Sequence, residues 1–287
     1  MGQKIDTRAV GLDTGLAFIR WLTGAESLHY GIWDGLAVTA ANLKAAQDAY
    51  TDRLLAYLPP PPARVLDIGG GAGETAKRLL AMGYTVEVVV PSAFLAARCR
   101  ANASAAVVHE SMFETADLRG GFDVCLFSES FQYIPLNLGL ARSLSLLAPG
   151  GRVVIADCFR TEAYQGRGVG GPTPGGGHHE PDFRAMLAGL SVAAVAEADI
   201  TASVAPSIDL EQGLFNVLGL GLIRVRDELA AKKPASLWLV RRFLTLVMSR
   251  KRRAAAMERL TEQARTAAAF RRFNRYLMLR IEPLPKG

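Results

Sequence analysis

Short continuous apolar runs alternate with helical stretches through the middle of this chain. Residues 64–68, 84–90, 122–127 and 152–157 are aliphatic or β-branched almost throughout, the pattern of strands buried on both faces rather than one. Residues 75–81 and the alanine-rich 93–103 fall between them as helices, and strand–helix alternation predicts a parallel, doubly wound sheet. Upstream, 42–55 is the clearest helix, stopped by four prolines at 59–62. Downstream, 191–196 reads as a sixth strand and 275–281 as a closing seventh, with a helical segment between them. The pattern divides the chain into an N-terminal helical cap (1–62), an α/β core (63–208), a helical lid (209–271) and a closing strand (272–287). No internal repeat interrupts this order.

Composition narrows the class. With 287 residues and 50% hydrophobic content the chain can bury a large core. It has no uninterrupted run of the ~18 apolar residues that span a bilayer, and its first residues lack the apolar segment of a signal peptide; the expected location is cytoplasmic. Cys99, Cys125 and Cys158 have no metal-ligand spacing and read as buried reduced thiols. Charge is divided unevenly. Residues 1–223 carry 16 Lys and Arg against 22 Asp and Glu, whereas 224–287 carry 17 against 5. Stretches such as 236–244 and 249–253 mix cationic with apolar residues, which suits a helix lying on an anionic membrane surface somewhere in 236–275; a solvated helix face is the alternative. No RNA- or DNA-binding module is present, so nucleic acid is not an expected partner.

The candidate chemistry centres on Val65-Leu66-Asp67-Ile68-Gly69-Gly70-Gly71-Ala72-Gly73, where the first strand turns into a helix. Glycines there tolerate positive φ and let a ligand approach the backbone. A dinucleotide fingerprint, Gly-x-Gly-x-x-Gly, fails because counting from Gly69 puts Glu74 at the third glycine. The turn instead resembles the first motif of class I S-adenosylmethionine (SAM) dependent methyltransferases. The phrase Leu146-Leu147-Ala148-Pro149-Gly150-Gly151 is similar to that family's turn before its fifth strand. The resemblance implies a Rossmann-like seven-stranded sheet with a helical N-terminal segment and a helical lid before the last strand. It also implies SAM as cofactor, its methionine ammonium held by Asp67 and its chain by Gly69, Gly70, Gly71 and Gly73.

Further motifs extend the resemblance. His29-Tyr30-Gly31-Ile32-Trp33 looks like an element of methyltransferases acting on sterols, tocopherols, alkaloids, phosphoethanolamine and acyl chains, which implies Tyr30 beside the cofactor, where a cation over a ring gains roughly 0.5–2 kcal/mol. Ser128-Glu129-Ser130-Phe131-Gln132-Tyr133 resembles a Glu-Ser-x-x-His element. It implies Ser128 at the cofactor and Glu129 and Tyr133 at the acceptor, with Tyr133 standing where the family often has a histidine base. A tyrosine of ordinary pKa is a poor base near neutrality, so Tyr133 orients the acceptor or acts with His178 or His179, which follow a glycine-rich stretch over 165–177 and read as part of a loop closing on substrate or as an ordinary solvated loop. Cyclopropane synthases read Phe-Glu-His where this chain has Phe131-Gln132-Tyr133, which argues against cyclopropanation. Val90 stands where many relatives place a ribose-binding acid and Leu95 where others place a glutamine, leaving the ribose to Ser92 or backbone. Glu110, Ser111 and Met112 match the adenine contacts. No third ligand is spaced to join His178-His179 in a metal site.

The function this implies is in-line methyl transfer from SAM to a small, lipophilic or anionic acceptor, lipid-like or carrier-bound, at oxygen, nitrogen or carbon. A non-catalytic membrane or binding protein on the same fold, an RNA methyltransferase and a nicotinamide-dependent oxidoreductase are the alternatives.

Overall fold

A computed structural model describes residues 7–164, 176–261 and 265–284. Helices α1 (Thr7–Thr23) and α2 (Leu43–Leu55) precede the sheet. The core then runs β1 (Arg64–Ile68), α3 (Glu74–Ala81), β2 (Thr85–Val89), α4 (Ala93–Asn102), β3 (Val107–His109), β4 (Phe122–Ser128), α5 (Leu136–Leu146) and β5 (Leu147–Arg160). After it come β6 (His178–His179), α6 (Glu180–Ala188), β7 (Val192–Asp199), α7 (Thr201–Val204), α8 (Pro206–Lys232), α9 (Pro234–Val247), α10 (Arg250–Thr261), α11 (Ala267–Phe273) and β8 (Asn274–Pro283). The strands form one sheet in the order β3-β2-β1-β4-β5-β8-β7, with the two-residue β6 added against β5. Pairings from β3 to β5 are parallel, and β8 runs antiparallel to both β5 and β7.

Both sheet faces are buried, as the continuous apolar runs predicted. Val65, Val124, Leu126, Val154, Ala156, Tyr276 and Met278 pack on the face covered by Tyr50 and Leu54 of α2. Their neighbours Leu66, Ile68, Cys125, Phe127, Val153, Ile155 and Leu277 pack on the other, with Phe131 and Phe183. The period of two assigns alternate residues of each strand to opposite faces. Seven strands were expected and all are present; β6 is the addition. All three cysteines are buried and free.

The boundary expected at 208/209 falls inside α8, which is continuous from Pro206 to Lys232. Within 236–275, Ala267, Phe270 and Asn274 are buried against the body, while Arg271 and Arg272 between them are exposed. Of the glycine-rich stretch 165–177, residues 165–175 lie outside the described residues.

Candidate active site

The glycine turn is built as its sequence demands. Gly69 adopts φ +78°, Gly71 +55° and Gly73 +87°, and a Cβ on Gly69 would come within 2.4 Å of the Ser130 side chain. No side chain but glycine fits both the conformation and the space. Beneath the turn, Asp67 is 1% exposed, and its Oδ2 has no hydrogen-bonding partner among the described residues. Burial pushes its carboxyl up to about 7. Such an orphaned carboxylate is costly without a ligand, and an ammonium group fits it. At Gly71 a Cβ would meet nothing within 4 Å, so the turn faces open space. Ser111 Oγ is a second orphaned buried atom, and Met112 beside it is exposed. Glu110 pairs instead with Arg100 at 3.0 Å.

Two positions expected near the ribose are already engaged in the fold. Val90 is 1% exposed and sits in the apolar core with its N–H on the His109 carbonyl, so its side chain is closed to a ligand. Ser92 caps α4, its Oγ accepting from Leu95 N at 3.3 Å; only the hydroxyl proton remains to give.

Next to the turn, at the end of β4, Glu129 is the sole non-glycine residue with positive φ among those described, at +56°. That conformation is strained for a residue with a Cβ, and the surroundings hold it. Glu129 Oε1 accepts from Tyr30 N at 2.8 Å and from Tyr276 Oη at 2.9 Å. With the Tyr276 proton committed there, Tyr276 accepts from Tyr50 at 2.8 Å, and Tyr50 from Ser128 at 3.2 Å. This orders a hydroxyl chain from Ser128 to the carboxylate. Burial raises the Glu129 carboxyl to about 8, against those two hydrogen bonds and with the help of repulsion from Asp157. Asp157 is likewise pushed up to about 7 by burial, although Gln132 and the Cys158 N–H bind it.

The His29–Trp33 element is clamped between α2 and α8. A Cβ on Gly31 would lie 2.5 Å from Ala46 Cβ, and the Gly31 N–H and Trp33 Nε1 both donate to Ser207 Oγ, at 3.1 and 2.8 Å. His29 stacks on Tyr50 at 4.5 Å and is held neutral by burial, its pKa lowered to about 4. Tyr30 stands edge-on to Phe270 and takes a hydrogen bond from Arg265 at 3.2 Å. Arg265 is in turn paired with Glu211 of α8 at 3.2 Å.

The structure thus brings together Tyr30, Ser128 and Glu129, and sets them beside the turn of Asp67. It places the other acceptor-side residues differently. His178 and His179 form a strand rather than a closing loop. His178 Nε2 is bonded to the Phe131 carbonyl at 3.0 Å, and His179 pairs with Asp182 at the start of α6. Tyr133 is 58% exposed. Tyr50, Tyr276 and Arg265 went unnoticed in the sequence. No motif contains them, and the pairing of β8 with β5 that delivers Tyr276 is not visible in local pattern. Among the described residues no group of His, Cys, Asp or Glu forms a metal site.

Three carboxyl groups with raised pKa make a pH prediction. Asp67, Asp157 and Glu129 rise from 3.8, 3.8 and 4.5 to about 7, 7 and 8, so the folded chain binds more protons than the unfolded one between pH ~4 and ~8. His29, with its lowered pKa, opposes this only below ~6.5. The ligand-free protein is therefore expected to lose stability as pH rises from ~5 to ~8, read as a falling denaturation midpoint; a rising midpoint contradicts the burial of these groups.

An α/β sheet of this order with an acid-tipped glycine turn after β1 defines the methyltransferase class of fold. Residues 40–181, just under half of the chain, match the family model described as a methyltransferase domain. The ubiquinone biosynthesis O-methyltransferase of Xanthomonas campestris pv. campestris (strain B100) is 30% identical over 154 residues, 49% of this chain and 64% of that protein. The chain thus spans somewhat less than two thirds of that relative's length. Among solved structures, the cyclopropane synthase MmaA2 from Mycobacterium tuberculosis superposes with a TM-score of 0.65 at 18% identity, covering 94% of this chain and 95% of the other. Geranyl diphosphate C-methyltransferase from Streptomyces coelicolor A3(2) superposes at 0.62 and 14% identity, covering 95% and 97%. These two show a shared fold across nearly the whole chain.

Proposed function

We propose that this protein transfers a methyl group from SAM to a small lipophilic or anionic acceptor. The observation that carries the reading is the pair of carboxyl groups beside the glycine turn: Asp67, buried and orphaned, and Glu129, half-buried, strained and hydrogen-bonded. When bound, SAM supplies an electrophilic methyl on a sulfonium. Asp67 holds its ammonium, Gly69–Gly73 admit its chain, Ser92 and Ser111 give the hydroxyls on the nucleoside side, and Tyr30 lends a ring face to the sulfonium.

Glu129 faces the acceptor. For a hydroxyl or amine it takes the departing proton, a role for which a pKa near 8 is well matched; for an alkene it offsets the positive charge that develops on carbon. Holding both reactants in register contributes the larger share, of order 7–11 kcal/mol. Tyr276 and Tyr50, both buried, position Glu129 without touching the acceptor. His178, His179 and Tyr133 lie farther from this account.

Two features favour a lipophilic acceptor: the Tyr30 ring, packed edge-on against the buried Phe270 and next to Glu129, and the likeness to an O-methyltransferase of ubiquinone biosynthesis. Peripheral contact with anionic membrane through part of 236–275 belongs to the same reading. Incubating the protein with methyl-deuterated SAM and a lipid and metabolite extract should yield one species heavier by a labelled methyl. Labelled SAM consumed only by background hydrolysis contradicts the reading and favours a binding protein on this fold.

A further inference from the structure

Helix α9 has no buried residue. Its Leu239, Phe243 and Leu246, spaced i, i+4, i+7 and so on one face, are 61%, 62% and 76% exposed. The second half of α8 repeats the arrangement with Leu218, Leu222 and Val225, all more than half exposed. An apolar surface of this extent on a soluble chain marks an interaction site. Another face of α8 is packed: Gly219 lies so near α10 that a Cβ there would meet the Leu260 carbonyl at 1.9 Å. The exposed stripe of α8 therefore lies off the face that α10 braces.

Charge identifies the occupant. Between residues 224 and 253 ten Lys and Arg stand against two carboxylates, Asp227 and Glu228, and both of these are paired on their own helix, with Arg226 and Lys232. On α9, Arg241 and Arg242 fall outside the stripe of Leu239, Phe243 and Leu246, and exposed Trp238 lies between them in helical projection. A second copy of the chain would bring like charge onto like charge. No described helix is long and apolar enough to cross a membrane. A helix lying in the headgroup plane, with leucines and phenylalanine dipping inward and arginines at the phosphates, meets all of these observations.

We infer that the far half of α8 together with α9 is a docking element for an anionic lipid bilayer. This deepens the membrane contact proposed above and relocates it: the element spans 217–247, and Ala267, Phe270 and Asn274 are buried in the core. The root of the element reaches the candidate site, because Glu211 of α8 holds Arg265, which bonds Tyr30 Oη. Only the consequence that the acceptor enters from the bilayer rests on the methyl-transfer reading; the docking does not.

The test is sedimentation of the full chain with vesicles of phosphatidylcholine alone or mixed with phosphatidylglycerol, at low and high salt. The protein should partition onto the mixed vesicles and not onto phosphatidylcholine. Leu239→Glu with Phe243→Glu should weaken this by roughly tenfold or more, and Arg241→Glu with Arg242→Glu should weaken it at low salt. These side chains are exposed, and an unchanged circular dichroism spectrum confirms that the variants fold. Absence of wild-type partitioning, equal partitioning of the variants, or a concentration-dependent dimer that the Leu239/Phe243 variant abolishes would each overturn the inference. Titration with S-adenosylhomocysteine in the same preparations separates the two claims, since cofactor binding without vesicle binding sinks only the docking.

Discussion

Asp67→Asn is expected to weaken binding of S-adenosylhomocysteine by roughly 30-fold to several-thousand-fold, the ~2–5 kcal/mol that follows from removing one side of a buried charge pair, while making the ligand-free protein more stable at pH 8. The two readouts move in opposite directions for one reason. In the empty cleft Asp67 is a buried carboxyl with an orphaned oxygen and a pKa raised by burial alone, so above pH ~7 its charge opposes folding. Asparagine keeps the shape and removes that charge. Calorimetric titration reads the first effect and thermal unfolding the second. A variant that binds the cofactor product normally, or that unfolds more easily at pH 8, contradicts the role assigned to Asp67.

Glu129→Gln should leave cofactor affinity within a few-fold of wild type and lower turnover by about 10²–10⁴, the usual worth of a positioned acid–base group. Glutamine can still accept from Tyr30 N and Tyr276 Oη, and it inherits the same φ of +56°, so the loss is chemical rather than structural. Tyr276→Phe sharpens the claim. It removes one of the two hydrogen bonds that favour the charged carboxyl, so the Glu129 pKa should rise further. The acidic limb of the turnover profile should then move to higher pH while turnover at the plateau is largely kept. An unmoved limb would return Tyr276 to a purely packing role, and full turnover in Glu129→Gln would remove the carboxylate from the mechanism.

How far the sequence carries this account depends on whether each feature is local. Parallel strands buried on both faces leave continuous apolar runs, and the strand-to-helix turn needs glycine at particular φ, so the strand–helix alternation and the Asp67 turn are legible residue by residue. Gly31 in the His29–Trp33 element is legible only as a motif; its reason, the 2.5 Å approach to Ala46, appears once α2 is in place. Tyr50 and Tyr276 lie 226 residues apart and meet only because β8 returns antiparallel beside β5, a pairing without local signature. Arg265 is one of 17 basic residues in the last part of the chain, and nothing in its neighbours distinguishes it. His178-His179 misled for the opposite reason: a prominent dipeptide after a glycine-rich stretch suggested a loop, whereas two ladder residues opposite Phe159 and Arg160 make it a strand. Val90 and Ser92 show a similar limit, since alignment to a motif gives a position but not whether the side chain there is buried or already a helix cap.

The central claim is that the cleft above Asp67 holds an amino-acid sulfonium donor, and a crystal structure with S-adenosylhomocysteine tests it most directly. The account predicts the ligand's ammonium within hydrogen-bonding distance of Asp67, its chain over Gly69–Gly73 and its sulfur turned toward Tyr30 and Glu129. A ligand bound elsewhere, or a cleft filled by neighbouring side chains with Asp67 out of reach, would contradict it.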